Sequence, residues 1–351
     1  MSDESRPQPD RARLLHEMGE QPAVVARVLD EQRELVRRLA ESIERRRPRA
    51  IVLVARGSSD NAAVYGRYLF EICNHQLTAL AAPSTVTLYD SGPRLQDTVV
   101  IGISQSGQGE DVVAYVRAAR QQGALTVAVV NEESSPLARA VEWVLGCLAG
   151  PELSVPATKS VTAQMTLLAL LSSALAGEPP DALARLPDAL DGALSQRAAA
   201  RGVAELLACR SAGSVIGRGF AFPPALEIAL KLKETSYTRA EPFSAADFFH
   251  GPVALVESGY TALVVDCGGR SAGPALDTAR AVRQRGGEVA LVQAGEVSLA
   301  PDALSVQAAV PEPYAPIPAV VLGQLLAVEL ATARGLDAAR PRGLRKVTST
   351  R

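Results

Sequence analysis

Short runs of apolar residues alternate along the chain with segments of helical periodicity. The runs lack the alternation of a half-exposed strand, so each predicts a strand buried on both faces. In the first half these runs are residues 50–55, 77–81, 98–102 and 125–130, with a weaker one at 143–148. Residues 110–122, after the third run, repeat apolar residues at helical spacing. Strands that alternate with helices predict βαβ units, and right-handed crossovers turn these into a doubly wound parallel sheet.

The second half of the chain repeats the first. The sequence Arg-Ala-Val-Arg-Gln-Arg-Gly at 280–286 echoes Arg-Ala-Ala-Arg-Gln-Gln-Gly at 117–123, an offset of 163 residues. A strand predicted at 212–216 also leads into an Arg-Gly pair, as the first strand does. An internal repeat of this period predicts two similar α/β units in tandem, each a doubly wound parallel sheet of the flavodoxin-like kind.

These patterns divide the chain into five expected parts. Pro48 ends a charged helical segment, and a stretch rich in proline and acidic residues at 177–187 separates the two α/β units. The parts are an N-terminal tail with helices at 1–47, a first domain at 48–178, a linker with a helix at 179–204, a second domain at 205–335 and a C-terminal tail at 336–351.

The composition of the 351 residues is that of a globular protein, with 47% hydrophobic and 21% charged residues. A net charge of −2 argues against a surface for nucleic acid or for an anionic membrane. The N-terminus shows no secretory signal, and the apolar stretch at 165–177 is shorter than the roughly 20 residues that a membrane span needs. We therefore expect a cytoplasmic protein that binds neither nucleic acid nor membrane.

The four cysteines lie far apart and form no CxxC motif. Zinc sites and disulfide frameworks both depend on clustered or regularly spaced cysteines. We expect reduced, buried thiols, and no metal or other cofactor.

Small polar turns follow two of the predicted strands: RGSS at 56–59 and SQSG at 104–107. Backbone N–H groups and the positive end of a helix bind anions at such junctions. In open α/β sheets, ligands lie at the carboxyl ends of the strands, where these two turns meet. Neither turn is a Walker A loop or a GxGxxG fingerprint, which favours a small phosphorylated metabolite over a nucleotide. Ordinary turns, rich in Ser and Gly for conformational reasons, are the alternative interpretation.

Lysine is rare in this chain, and a lysine forms an imine with a carbonyl where an arginine cannot. Lys231 lies between Glu227 and Glu234 at helical spacing, which places the three on one face of a helix. Such a face is most often exposed and salt-bridged. The four lysines among the 36 basic residues are Lys159, Lys231, Lys233 and Lys346.

His250 stands in a predicted loop between an aromatic pair and a Gly-Pro turn. The sequence around His250 is compatible with a catalytic role and with the commoner structural role of a histidine. The other two histidines, His16 and His75, have no comparable setting.

Five motifs make the chain similar to the sugar isomerase (SIS) family. They are RGSSDN with RYLFE, SQSG, LSVPATKS, ALKLKETSYTRAEPFSAADFFHGP and PRGLRKVT. The chain resembles in particular the double-SIS isomerase half of glucosamine-6-phosphate synthase, and so the SIS-type glucosamine-6-phosphate deaminases. The resemblance implies two SIS domains, a phosphorylated sugar as ligand, no cofactor, and a homodimer whose C-terminal tail lies over the active site.

The resemblance also implies catalytic roles at matching positions. Glu234 would move the proton between C1 and C2 of the sugar, and Lys231 would support that transfer. His250, contributed by the neighbouring subunit, would assist ring opening. Lys346 would form an imine with the ketose phosphate.

Further matching positions are implied to bind the substrate. The family pattern continues Ser-Gln-Ser-Gly with Glu-Thr, whereas this chain has Gln-Gly, so Gly109 lacks a phosphate-binding hydroxyl. Ala157 likewise stands where the family has serine. The implied binding residues are Ser58, Ser59, Ser104, Gln105, Ser106, Gly107, Gly109, Val155 and Ala157, of which Ser104, Gln105 and Ser106 would hold the phosphate and Ser59 the sugar.

The expected direction of the reaction is a hypothesis that depends on the position of the cysteines. The synthase obtains ammonia from a glutaminase domain with an N-terminal cysteine, and this sequence has no cysteine before Cys73. We therefore expect the hydrolytic direction, in which glucosamine 6-phosphate and water give fructose 6-phosphate and ammonia through an enolamine. The alternatives are a deglycase or isomerase of another phosphosugar, such as fructosamine 6-phosphate or galactosamine 6-phosphate, and a non-catalytic phosphosugar sensor.

Overall fold

The structure is a computed structural model, and it describes residues 11–296 and 303–346. Three helices come first in this part of the chain. Pro22 lies in the first turn of the second helix, where its missing N–H needs no partner. Arg47, in the left-handed conformation, ends the third. These helices are α1 (Arg11–Gly19), α2 (Gln21–Glu31) and α3 (Arg33–Arg46).

The first sheet has five parallel strands in the order β2-β1-β3-β4-β5. This is the doubly wound order whose switch point lies between β1 and β3. Its strands are β1 (Ala50–Val54), β2 (Thr78–Leu80), β3 (Thr98–Ser104), β4 (Leu125–Val130) and β5 (Trp143–Gly146). Its helices are α4 (Ser58–Ile72), α5 (Ser84–Thr87), α6 (Glu110–Gln121), α7 (Pro136–Ala140) and α8 (Lys159–Leu175).

The second sheet repeats that topology, in the order β10-β9-β8-β6-β7. Its third strand in sequence begins at Thr261, which the 163-residue offset places opposite Thr98 at the start of β3. Its strands are β6 (Ala212–Gly217), β7 (Arg239–Ser244), β8 (Thr261–Asp266), β9 (Glu288–Gly295) and β10 (Leu304–Gln307). The helices of this half are α9 (Leu186–Ser195), α10 (Arg197–Leu207), α11 (Phe222–Ser236), α12 (Ala245–Phe249), α13 (Ala272–Gln284) and α14 (Pro316–Ala333). The predicted tandem of doubly wound parallel sheets is confirmed.

One apolar core runs through both units. It includes buried side chains of α4 and α8 from the first unit and of α11 and α14 from the second. By length and composition α14 could cross a membrane, but 89% of it is buried inside the protein, as in the core helix of a soluble protein. The shared core holds α4 and α11 against each other, with Ser58 and Ser59 at the start of α4 and Glu234 near the end of α11.

The cysteines only partly match the expectation of buried thiols. Cys147 and Cys267 are buried and Cys73 is half-buried, whereas Cys209 is exposed in the turn that connects α10 to β6. Burial raises the pKa of the Cys147 and Cys267 thiols.

Candidate active site between the two units

A cavity of about 410 Å³ lies at the carboxyl ends of β1 and β3, beside the switch point of the first sheet. The second unit and the C-terminal tail complete its wall. All the predicted site residues except Gly107 and His250 line it. The lining residues are Arg56, Gly57, Ser58, Ser59, Ile103, Ser104, Gln105, Ser106, Gly109, Val112, Val155, Ala157, Lys231, Glu234, Leu344, Arg345 and Lys346.

The turn after β1 presents two serines at the start of a helix. Gly57 precedes α4 with φ of 59°, a backbone conformation that favours glycine. Helix α4 then begins at Ser58, so Ser58 and Ser59 occupy its first turn, where backbone N–H groups have no partner within the helix. This arrangement can bind an anion.

The loop after β3 is held in shape by its own serines. The Ser104 hydroxyl accepts a hydrogen bond from the backbone N–H of Gly107 at 3.0 Å, and the Ser106 hydroxyl accepts one from Gln108 at 3.3 Å. Gly107, which is also a predicted binding residue, does not line the cavity. It is buried with φ of 62°, and a Cβ atom there would lie 2.1 Å from Oγ of Ser135. Gly107 therefore shapes the loop and does not present an atom to the cavity.

The segment between β5 and α8 carries a buried carboxylate, that of Glu152. Its Oε1 accepts hydrogen bonds from the backbone N–H groups of Thr158 at 2.9 Å and Ser160 at 3.1 Å, and its Oε2 accepts one from the Ser160 hydroxyl at 2.8 Å. Nζ of Lys346 lies 2.8 Å from the same Oε2. Glu152 thus joins the Val155–Ala157 wall of the cavity to the lysine of the tail.

Burial on its own would raise the pKa of Glu152. The charge of Lys346 and the hydrogen bonds outweigh it and hold the pKa below its ordinary value. A carboxyl whose pKa is lowered by folding stabilises the protein above its unfolded pKa, and that stabilisation is lost as the pH falls through the lowered value. The pair with Lys346 is therefore intact at neutral pH.

Two further contacts fix the same segment. The carboxylate of Glu17, on α1, accepts a hydrogen bond from the backbone N–H of Leu153 at 2.6 Å. The N–H of Val155 donates to the carbonyl of Ala339 at 3.2 Å. The N-terminal helices and the tail therefore support this cavity wall from opposite ends of the chain.

Helix α11 contributes an ionic cluster from the second unit. Nζ of Lys231 lies 2.6 Å from Oε2 of Glu234 and 3.4 Å from Oε1 of Glu227. The side chains of Lys231 and Glu227 are 3% and 2% exposed, so this helix face is buried and not the solvated face that its spacing usually indicates. Lys233 is exposed on another side.

Burial and charge act in opposite senses in this cluster. Burial disfavours the protonated form of Lys231, but the two carboxylates outweigh it and hold the pKa of Lys231 above its ordinary value. Burial raises the pKa of Glu227, against the effect of Lys231. Oε2 of Glu227 accepts a hydrogen bond from Nδ2 of Asn61 on α4 at 2.7 Å, which ties the two units together directly beneath the cavity.

His250 lies outside the cavity of its own chain. It is exposed and follows the short helix α12, which comes after β7 at the edge of the second sheet. Phe249 and Leu255, both exposed and apolar, are its neighbours in sequence.

Sequence reasoning missed three ionisable residues of this site. Arg56 and Arg345 lie within the motifs at 56–61 and 341–348, and only their place in the cavity singles them out. Glu152 offers no local signal, because its partner Lys346 lies 194 residues away in the chain.

The described residues also contain a larger cavity, but no metal-binding cluster. Within 11–296 and 303–346, no group of three or more His, Cys, Asp or Glu side chains is placed to hold a metal ion. A larger cavity of about 860 Å³, at the outer edge of the first sheet, is lined by none of the predicted site residues.

The chain is similar in sequence to curated proteins of known name. The chain is 35% identical over 346 residues to a glutamine–fructose-6-phosphate aminotransferase (isomerizing) of Thermococcus kodakarensis, covering 95% of this chain and 57% of that protein. A relative of the same name from Methanothermobacter thermautotrophicus is also 35% identical, over 95% of this chain and 56% of that protein. The chain therefore spans little more than half the length of the curated relatives it matches.

A solved structure has the same fold over nearly its whole length. A candidate phosphosugar isomerase from Silicibacter pomeroyi superimposes with a TM-score of 0.85 at 30% identity, covering 93% of this chain and 99% of that one. The SIS domain model matches twice, at residues 46–174 and 206–334. The chain belongs to the SIS domain family.

Proposed function

We propose that this protein is a phosphosugar aldose–ketose isomerase that releases ammonia, converting glucosamine 6-phosphate and water to fructose 6-phosphate and ammonia. The observation that carries the proposal is the cavity itself. Its lining includes the carboxylate of Glu234, two lysines and the two polar turns of the first unit, and this combination supports the proposal. The names of the aminotransferase and phosphosugar isomerase relatives agree with a phosphosugar substrate.

The phosphate of the substrate binds at the turns of the first unit. The hydroxyls of Ser104 and Ser106 and the N-terminal turn of α4 supply donors, and each hydrogen bond to a charged oxygen contributes about 1.5–3 kcal/mol. No metal is needed to hold a phosphomonoester in this way.

The reactive carbons then lie toward Glu234. After ring opening, its carboxylate takes the proton from C2 of the aldose and returns it to C1, which converts the aldehyde and amine into an enolamine and then a C2 imine. Nζ of Lys231, 2.6 Å from Oε2 of Glu234, supports this proton transfer. Water adds to the imine carbon, and ammonia leaves as the C2 ketone forms.

His250 serves the cavity of the neighbouring subunit in a homodimer. An imidazole can carry a proton to and from the ring oxygen near neutral pH. Its exposure beside Phe249 and Leu255, away from its own cavity, supports a role at a subunit contact.

Lys346 forms an imine with the ketose product, which releases one water molecule from C2, and hydrolysis of that imine takes up one water molecule and frees the ketose and the lysine amine. Its Nζ lies in the cavity wall, held by Glu152 at 2.8 Å. The carboxylate of Glu152 also stabilises the positive charge of a protonated imine at that position.

The proposed reaction is tested by measuring ammonia and fructose 6-phosphate released from glucosamine 6-phosphate by the purified protein. The Glu234→Gln variant, which keeps the shape but loses the base, should fall about 10²–10⁴-fold in kcat while still binding fructose 6-phosphate. Galactosamine 6-phosphate and fructosamine 6-phosphate, run beside it, identify a different substrate. Binding of phosphosugars without turnover of any of them would indicate a sensor and contradict the enzyme proposal.

A shared site predicts complementation between two inactive chains. In a mixed dimer of Glu234→Gln and His250→Ala chains, one of the two cavities regains both residues. Random mixing should restore about a quarter of wild-type activity in a two-fold dimer. Purified mixed dimers that stay inactive would contradict the contribution of His250 to the partner subunit.

Anchoring of the tail by Glu152 predicts a change in the reactivity of Lys346. With four lysines in the chain, amine acetylation can be followed at each one by mass spectrometry. Glu152→Gln should speed the acetylation of Lys346 roughly tenfold or more, because a hydrogen bond to a charged group contributes about 1.5–3 kcal/mol. Exposed Lys233 is the internal control and should not change; equal acceleration at both would mean general unfolding and would contradict a specific anchor.

A further inference from the structure

Arg56 has no role in the proposed reaction, although it lines the same cavity as Ser104, Ser106 and Gly109. It follows β1 and lies one residue before the Gly57 that begins the turn into α4. Its Nε donates a hydrogen bond to Oδ2 of Asp111 at 2.8 Å. The side chain of Asp111 is 4% exposed and that of Arg56 is 49% exposed.

The pairing with Asp111 orients the guanidinium group and leaves most of its donors available. Arginine presents five N–H donors in a rigid planar fork, and Asp111 engages the one on Nε. Within residues 11–296 and 303–346, no hydrogen bond occupies the two terminal nitrogens of Arg56. A planar pair of donors of this kind binds phosphate bidentately.

Gly109 lies beside the same pair. A Cβ atom built on Gly109 would lie 3.5 Å from Oδ1 of Asp111, in ordinary contact. The backbone of Gly109, with φ of −59°, accepts any side chain. Gly109, where the hydroxyl is missing, therefore lies next to the carboxylate of Asp111, which binds Arg56.

We propose that Arg56 binds the phosphate group of the substrate and replaces the phosphate-binding hydroxyl that is missing at Gly109. Asp111 is the residue that positions Arg56. The proposal rests on the proposed function only for the identity of the substrate as a phosphosugar. It assigns the phosphate specificity of this cavity to a charged side chain together with the polar turns.

The test measures dissociation constants by calorimetry for fructose 6-phosphate and for inorganic phosphate. Arg56→Ala should weaken both by about ten- to hundred-fold, the loss expected for one charge-assisted bidentate contact. Arg56→Lys, which keeps the charge without the fork, should lie between that variant and the wild type. Arg67→Ala is the matched control, since Arg67 lies on α4, is also 49% exposed and pairs with Glu71.

The positioning role of Asp111 is tested by non-additivity. Asp111→Asn should weaken phosphate binding in the wild-type background and add no further loss in the Arg56→Ala background. Equal losses in both backgrounds would show that Asp111 acts without Arg56.

Adding Gly109→Thr to Arg56→Ala tests whether residues 56 and 109 can both supply the phosphate contact. The added hydroxyl should recover at least part of the affinity that Arg56→Ala loses. If the Arg56→Ala/Gly109→Thr double variant binds as weakly as Arg56→Ala, Arg56 does not replace the hydroxyl at position 109. If Arg56→Ala binds fructose 6-phosphate and inorganic phosphate as tightly as Arg67→Ala does, the whole proposal is overturned.

Failure of the proposed function gives a different result. If the wild type binds inorganic phosphate through Arg56 but does not bind fructose 6-phosphate, the phosphosugar substrate is wrong and the phosphate site stands. If fructose 6-phosphate binds and turns over equally well in Arg56→Ala, the function stands and Arg56 is not its phosphate ligand.

Discussion

A buried charge must have a partner, and this constraint places nearly every ionisable side chain of the cavity. Glu152 is inaccessible to solvent and is compensated by Lys346 from the far end of the chain. Glu227 is compensated by Lys231 on its own helix and by Asn61 from the other unit. Removing one member of a buried pair typically costs about 3–5 kcal/mol, so these contacts hold the two units and the tail in register.

The need to pair buried charges also decides which charged groups reach the cavity surface. Where the buried clusters reach the cavity surface, they present Glu234, with 22% of its side chain exposed, and Lys346, also 22% exposed. The turns of the first unit supply neutral donors, and Arg56 supplies a charged one held by a buried carboxylate. The proposed anion-binding turns of the first unit and the proposed proton-transferring group of the second unit therefore line one cavity at the boundary between the units.

Much of this was predictable where the signal is local. Residues 125–130 are a buried apolar run and form β4 without change, and the starts of β3 and β8 are related by the 163-residue offset of the repeat. Contacts between distant segments leave no such pattern, so nothing in the local sequence pairs Glu152 with Lys346 or Arg56 with Asp111. Gly107 is assigned by resemblance, which does not distinguish a residue that shapes a loop from one that lines the cavity. The role of His250 in a neighbouring subunit stays a prediction.

The central claim is that Glu234 moves a proton between C1 and C2 of a sugar held by its phosphate. Proton NMR of fructose 6-phosphate incubated with the protein in D₂O tests it most directly, because a C1 hydrogen lost to the base is replaced by deuterium. The account predicts exchange of one C1 hydrogen with the wild type and none with Glu234→Gln. No exchange with the wild type, or equal exchange with the variant, would contradict it.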